Sequence, residues 1–207
     1  GVAWDVPENF RERCTGVIEQ VRKGLGDLRG LFLENEVVLS RCRGLSAVTV
    51  EDAINWGLTG PLLRATGLRH DIRKAEPYSL YDRFDFDIPV GEQGDVYDRL
   101  TVRLEEVSTR IVEQALEQMP KGSIMAEGMK RILRVPPGEV YQRVESPRGE
   151  YGVYLVANGS DKPYRHKIRA ASFCNLSALR DMCVGHYVAD VVIILGSIDI
   201  VLCEVDR

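Results

Sequence analysis

The apolar residues of this chain change their spacing once, near residue 135, and that change limits the fold more than any single motif. Ahead of it, Phe10, Cys14, Val17, Ile18, Val21, Leu25, Leu28 and Phe32 fall at steps of three and four. That is the stripe of a long amphipathic helix. Val96, Leu100, Leu104, Val107, Ile111, Ala115 and Met119 repeat the pattern and predict a second long helix, ended by Pro120 and Gly122 and paired with the first. Beyond residue 135 the period drops to two. EVYQRVE (139–145), YGVYLVA (151–157) and YRHKIRA (164–170) read as strands, with PRG (147–149) and NGSD (158–161) as turns. Two short helices, around residues 176–183 and 186–195, and a tail complete the reading. The expected fold is α+β and mostly helical: two long amphipathic helices, a small antiparallel sheet and short C-terminal helices. It divides into a helical part, 1–135, and a sheet, short helices and tail, 136–207.

Local signals refine this outline. Pro7 suits the entry to the first helix. Thr49 with Asp52 resembles a capping box and opens a short helix through Trp56, which Gly57, Gly60 and Pro61 break. Between the helical stripes, residues 67–95 hold no sustained period. An irregular stretch of that length is usually functional or laid on a partner. The apolar run 187–202 is interrupted by Asp190 and Asp199 and falls short of a membrane span; it reads as buried core.

Composition excludes some functions. The net charge is −4 over 207 residues, which argues against nucleic acid as the main partner. The five cysteines, Cys14, Cys42, Cys174, Cys183 and Cys203, are widely spaced with no Cys-x-x-Cys. That suits a reducing compartment rather than a disulfide framework. His70, His166 and His186 have no ligand partner at helical spacing, so a zinc site is not indicated. The chain starts at Gly1, already entering a helix, and reads as a piece of a longer polypeptide.

Three stretches hold candidate chemistry. Arg165, Lys167 and Arg169 share a strand face, read as a solvated surface over a docking face for an acidic subunit or a lipid headgroup. Asp82, Asp85 and Asp87 in YDRFDFDIP (81–89) lack the glycine and closing Glu of a calcium loop; the segment reads as a partner-facing loop. In ESPRGE (145–150), Pro147 and Gly149 fix a tight turn and hold Arg148 on a rigid backbone. Arg148 either meets an anionic ligand or pairs with Glu145 or Glu150.

Taken together, GLTGPLLRATGLRHDIRKAEPYSLYDRFDFDIPVGEQGDVYDR (57–99), ESPRGE (145–150), DKPYRHKIRAASF (161–173) and GHYVADVVIILGSIDIVLCEVDR (185–207) resemble the C-terminal half of one family. It is the family of the 49-kDa subunit of respiratory NADH:quinone oxidoreductase (complex I). The family form has Gly where this chain has Cys203. The family is similar in turn to nickel–iron hydrogenase large subunits, whose chains end in Asp-Pro-Cys-x-x-Cys-x-x-His. On that pattern Asp199 matches the Asp and Ile200 the Pro. Val201 and Glu204 stand in for the cysteines, and Arg207 for the His. Valine cannot coordinate a metal, and a nickel–iron centre needs soft thiolates; no metal is expected on this chain.

The resemblance implies a hydrogenase-like fold and a role in the quinone-binding subunit of a proton-pumping NADH:quinone oxidoreductase. Asp199, Val201 and Arg148 are then expected at the quinone pocket, with Glu204 and Arg207 as weaker candidates. The family's His and Tyr quinone ligands belong to its N-terminal half, so no catalytic residue is expected here and the isolated fragment is expected to be inactive. Quinone is the implied substrate; NAD and iron–sulfur clusters would reside in partner subunits. The implied partners are the N-terminal half of the same subunit, the iron–sulfur subunit and other peripheral-arm subunits. The implied location is peripheral to the inner or cell membrane, on its cytoplasmic side. Two other readings stay open on the sequence: a large-subunit fragment of a membrane-bound hydrogenase, and a structural scaffold with a vestigial pocket.

Overall fold

A computed structural model of the chain describes residues 2–107, 109–128 and 134–206. Helix α1, Phe10–Leu28, runs into a π-helical turn, Arg29–Leu33. Pro7 lies in the turn ahead, its carbonyl accepting from the Phe10 N–H at 2.9 Å. The stripe of α1 is only partly covered: Ile18 is buried, whereas Val17, Val21, Leu28 and Phe32 are exposed. Short helices follow: α2 (Glu36–Cys42), capped by Asn35, and α3 (Val50–Asn55), capped by Thr49, whose Oγ1 accepts from the Asp52 N–H. Gly60 stands at φ 67 and hands over to α4 (Pro61–Ala65), so Pro61 opens a helix as well as closing the gap.

Residues 67–95 are irregular except for α5 (Ile72–Ala75) and a 3₁₀ turn at Tyr81–Arg83. The segment is not simply partner-facing. Phe86 and Ile88 are buried, and Tyr81 packs edge-on against Tyr78, Phe84 and Phe86. Its acidic side turns outward, where Asp85 and Asp87 pair with Arg110.

The second long stripe is divided. Helix α6 spans Val96–Glu105 and α7 spans Thr109–Glu117. At the end of α6 the Glu106 carboxylate pairs with the buried Arg64 guanidinium of α4. The expected pairing of the two stripes is present. Arg11 donates to the Leu116 carbonyl at 2.9 Å, and Arg22 bonds Thr109 and Glu113.

The sheet has the order β1-β2-β3 and is antiparallel throughout: β1 Gly138–Ser146, β2 Gly149–Ala157, β3 Arg165–Arg169. Ser146 faces Gly149 across the β1–β2 ladder, so Pro147 and Arg148 form a two-residue turn. After β3 come α8 (Ala171–Leu176), α9 (Leu179–Cys183), a 3₁₀ turn at Val188–Asp190, α10 (Val191–Ile198) and α11 (Leu202–Val205).

The main core gathers Leu45, Val48, Ala53, Leu62, Leu63, Val96, Met182, Ile194 and Ile198. It joins the short helices near residue 60 to α6 and to one face of α10. The run 187–202 is therefore not uniformly core. Ile194 and Ile198 are buried, but Tyr187 is 81 %, Val188 89 % and Val192 74 % exposed. No described helix is long and apolar enough to cross a membrane.

Candidate functional site

The β1–β2 turn is fixed by its surroundings. Gly149 takes φ 127, and a Cβ on Gly60 would come within 2.4 Å of the Gly149 Cα. Only paired glycines let these backbones approach so closely. Asn175 of α8, fully buried, clamps the contact: its Nδ2 donates to the Arg148 carbonyl at 2.9 Å and its Oδ1 accepts from the Thr59 N–H at 3.3 Å. Thr59 Oγ1 in turn accepts from the Glu150 N–H at 3.0 Å.

Held this way, the Arg148 side chain points at the end of α10. Its Nε donates to the Asp199 carbonyl at 3.0 Å and lies 3.7 Å from the Asp199 carboxylate. The alternatives weighed on the sequence, Glu145 and Glu150, are engaged elsewhere. Glu145 pairs with Arg64 at 2.8 Å, and Glu150 with Arg143 and Arg169 at 3.0 and 3.4 Å. Asp199 caps α10 in the left-handed conformation, φ 56 and ψ 52. Arg103 of α6 also approaches it, with Nε 3.8 Å from the same carboxylate.

Asp199 borders a cavity of about 480 Å³, also lined by Arg64, Arg73, Tyr81, Arg103, Glu106 and Glu145. Arg64, 1 % exposed, is its most deeply buried charge. It bonds Glu145 and the His70 carbonyl, pairs with Glu106, and lies 3.9 Å from Asp71. Asp71 is held by Arg73 at 2.6 Å. Burial pushes the Glu106 carboxyl above its ordinary range, against the pull of Arg64. Burial would raise Asp71 too, but the hydrogen bonds and charge of Arg73 outweigh it and hold Asp71 low. Burial drives the Arg103 guanidinium down to about 10.

Of the residues singled out on the sequence, Asp199 lines this cavity and Arg148 stands beside it, outside the lining. Val201 is half-buried ahead of α11, its N–H donating to Ser172 Oγ at 3.2 Å, and is also outside the lining. Glu204 is turned away: its Oε2 accepts from the Ser172 N–H at 3.0 Å and Oγ at 2.6 Å, which ties the tail to α8. Arg207 lies outside the described residues. The sequence reading missed Arg64, Arg73, Arg103 and Glu106. One signal pointed to the first: an Arg inside PLLRA, where every neighbour is apolar or small. Among the described residues no group of three or more His, Cys, Asp or Glu side chains is placed to hold a metal ion.

The sequence matches the family model described as respiratory-chain NADH dehydrogenase, 49 Kd subunit, over residues 1–133 and 127–207. It is 49 % identical over 216 residues to a protein of Roseiflexus sp. (strain RS-1) named as an NADH-quinone oxidoreductase subunit. That alignment takes in 100 % of this chain and 58 % of the relative. A protein of Carboxydothermus hydrogenoformans, also named as an NADH-quinone oxidoreductase subunit, is 46 % identical, over 100 % of this chain and 57 % of its own length. A counterpart so named from Wolbachia sp. subsp. Brugia malayi is 43 % identical, over 100 % and 60 %. The chain thus spans less than two thirds of the length of these curated relatives.

Proposed function

This chain belongs to the family of the 49-kDa subunit of respiratory-chain NADH dehydrogenase, and on that premise we propose that it forms part of the quinone-binding subunit of an NADH:quinone oxidoreductase. In this reading the cavity beside Asp199 receives the quinone headgroup. The observation that carries the reading is the meeting of Arg148 and Asp199. They stand 51 positions apart and share a hydrogen bond at the cavity edge.

The chemistry of the lining supports it. A quinone needs an apolar slot and a few placed polar groups. Val107, Pro147 and Tyr81 supply apolar surface, while Arg103, Asp199 and Ser146 supply polar edges. Reduction adds negative charge to the quinone oxygens, and cations fixed beforehand near that charge stabilise it without reorganising. Arg148 is such a cation. Val201 and Glu204 belong to the reading through the tail they build: Val201 sets the start of α11, and Glu204 anchors α11 to α8. Electrons would arrive from NADH through iron–sulfur clusters of partner subunits, and proton pumping would belong to the assembled complex. The chain would sit peripherally at the membrane, on its cytoplasmic face. The kinship to nickel–iron hydrogenase large subunits is part of the same reading, with Val201 and Glu204 in place of metal-binding cysteines.

The test is made in the assembled complex carrying Arg148→Ala or Asp199→Asn. The expected result is a KM for a short-chain quinone raised about tenfold, with oxidation of NADH by a hydrophilic artificial acceptor unchanged. An unchanged KM and unchanged competition by a quinone analogue in both variants would sink the pocket and favour a structural scaffold.

A further inference from the structure

The cavity is electrically lopsided. At its inner end Arg64 and Arg73 face Asp71, Glu106 and Glu145. At its outer end, among the described residues, Arg103 and Arg148 share one carboxylate, that of Asp199, at 3.8 and 3.7 Å. Cations are therefore in excess beside Asp199 and carboxylates in excess beside Arg64.

Arg103 is the cation at the outer end that also lines the space. Its position is set by α6, on which Arg99 and Arg103 fall one turn apart and face α10. Arg99 bonds Ser197 at 3.1 Å; Arg103 reaches the Ile198 carbonyl at 3.1 Å with Nη2 and the Arg99 carbonyl at 3.1 Å with Nη1. Both acceptors are neutral, so they orient the guanidinium without cancelling its charge. The Nε–H is buried and, among the described residues, has no hydrogen-bond partner. That buried Nε lies 3.8 Å from the Asp199 carboxylate, while the Arg103 side chain lines a cavity of about 480 Å³, large enough for a ring-sized ligand.

We propose that Arg103 is a ligand-binding residue of this cavity, its guanidinium facing a ligand oxygen that carries or gains negative charge, here a quinone oxygen, beside Asp199. The inference rests on the quinone reading and adds to it the residue that orients the ring. The Nη contacts to two backbone carbonyls hold the fork in place at the cavity wall. Lysine at this position would keep a cation but lose the fixed direction of the donor.

The experiment uses the assembled complex carrying Arg103→Lys and Arg103→Gln. The KM for a short-chain quinone should rise about tenfold or more in Arg103→Gln and by a smaller factor in Arg103→Lys. The NADH oxidation rate with a hydrophilic acceptor should stay at the parental level. A parental KM with lowered kcat or lowered assembly would overturn the proposal, because a purely structural tie between α6 and α10 moves those quantities and not the KM. If Arg148→Ala and Asp199→Asn raise the KM while the Arg103 variants do not, this inference fails and the pocket stands. If none of the four raises it, the pocket itself fails. Should neither Arg103 variant assemble, phenylglyoxal labelling of the parent complex decides. Protection of Arg103 by a quinone analogue supports the proposal, and equal labelling with and without it overturns it.

Discussion

Single charged residues set the character of the cavity. Arg64 is 1 % exposed and bound to Glu145 and Glu106. Replacing it with Met would leave two buried carboxylates without their cation, a loss on the order of 3–5 kcal/mol. Urea unfolding of Arg64→Met against the parent, at low protein concentration, measures that loss. Asp71 gives a pH-dependent counterpart. Arg73 holds its carboxyl below the ordinary value despite burial. The folded state therefore binds this proton more weakly than the unfolded chain. The stabilisation is present above the unfolded carboxylate pKa and is lost as pH falls through the lower folded value. Asp71→Asn should cost roughly 1.5–3 kcal/mol at pH 7, the range for charge-assisted hydrogen bonds. The gap between variant and parent should close as the pH falls below the usual carboxylate range. A gap of constant size in urea titrations across that range would contradict the account.

At the scale of elements, the hairpin turn is the piece that carries the site. Asn175 closes it with two hydrogen bonds from a fully buried amide. Asn175→Ala would strand the Thr59 N–H and the Arg148 carbonyl, at a cost of about 2 kcal/mol. Faster amide exchange at Thr59, with little change in α1, is the expected signature. Much of this level was legible in the sequence. The three strands, the turn between Pro147 and Gly149, the Thr49 cap and the pairing of the two helical stripes all follow from local period and turn chemistry. What local pattern cannot carry is a contact made from far away. The stripe from Val96 to Met119 is unbroken on paper, yet the helix ends at Glu105 and resumes at Thr109, and Glu106 there meets an arginine of α4. The same holds at the site. Arg148 and Asp199 each announced chemistry, one by a rigid turn and one by a tail motif, but their meeting depends on Asn175, Thr59 and the packing of α10. Arg64 escaped notice because an arginine in a short apolar helix resembles one turned to solvent.

For the molecule as a whole, the C-terminal segment exposes several large apolar side chains: Val184, Tyr187, Val188, Val192 and Leu202. Patches of this kind drive association. The chain on its own is expected to self-associate, with a sedimentation coefficient that rises with concentration, and Val188→Ser with Val192→Ser should reduce that rise. A concentration-independent monomer would contradict it. The cavity has a different consequence. Its walls come from α4, α5, α6 and the 3₁₀ turn at Tyr81 on one side, and from the end of β1, the hairpin turn and the end of α10 on the other. No stretch of the chain holds it alone, so it exists only once the helical segments and the sheet have docked. Whatever binds there binds the finished fold and not its precursors. Occupancy and folding are thus one linked equilibrium, and a ligand at a hundred times its Kd would add about 2.7 kcal/mol to the stability of the whole.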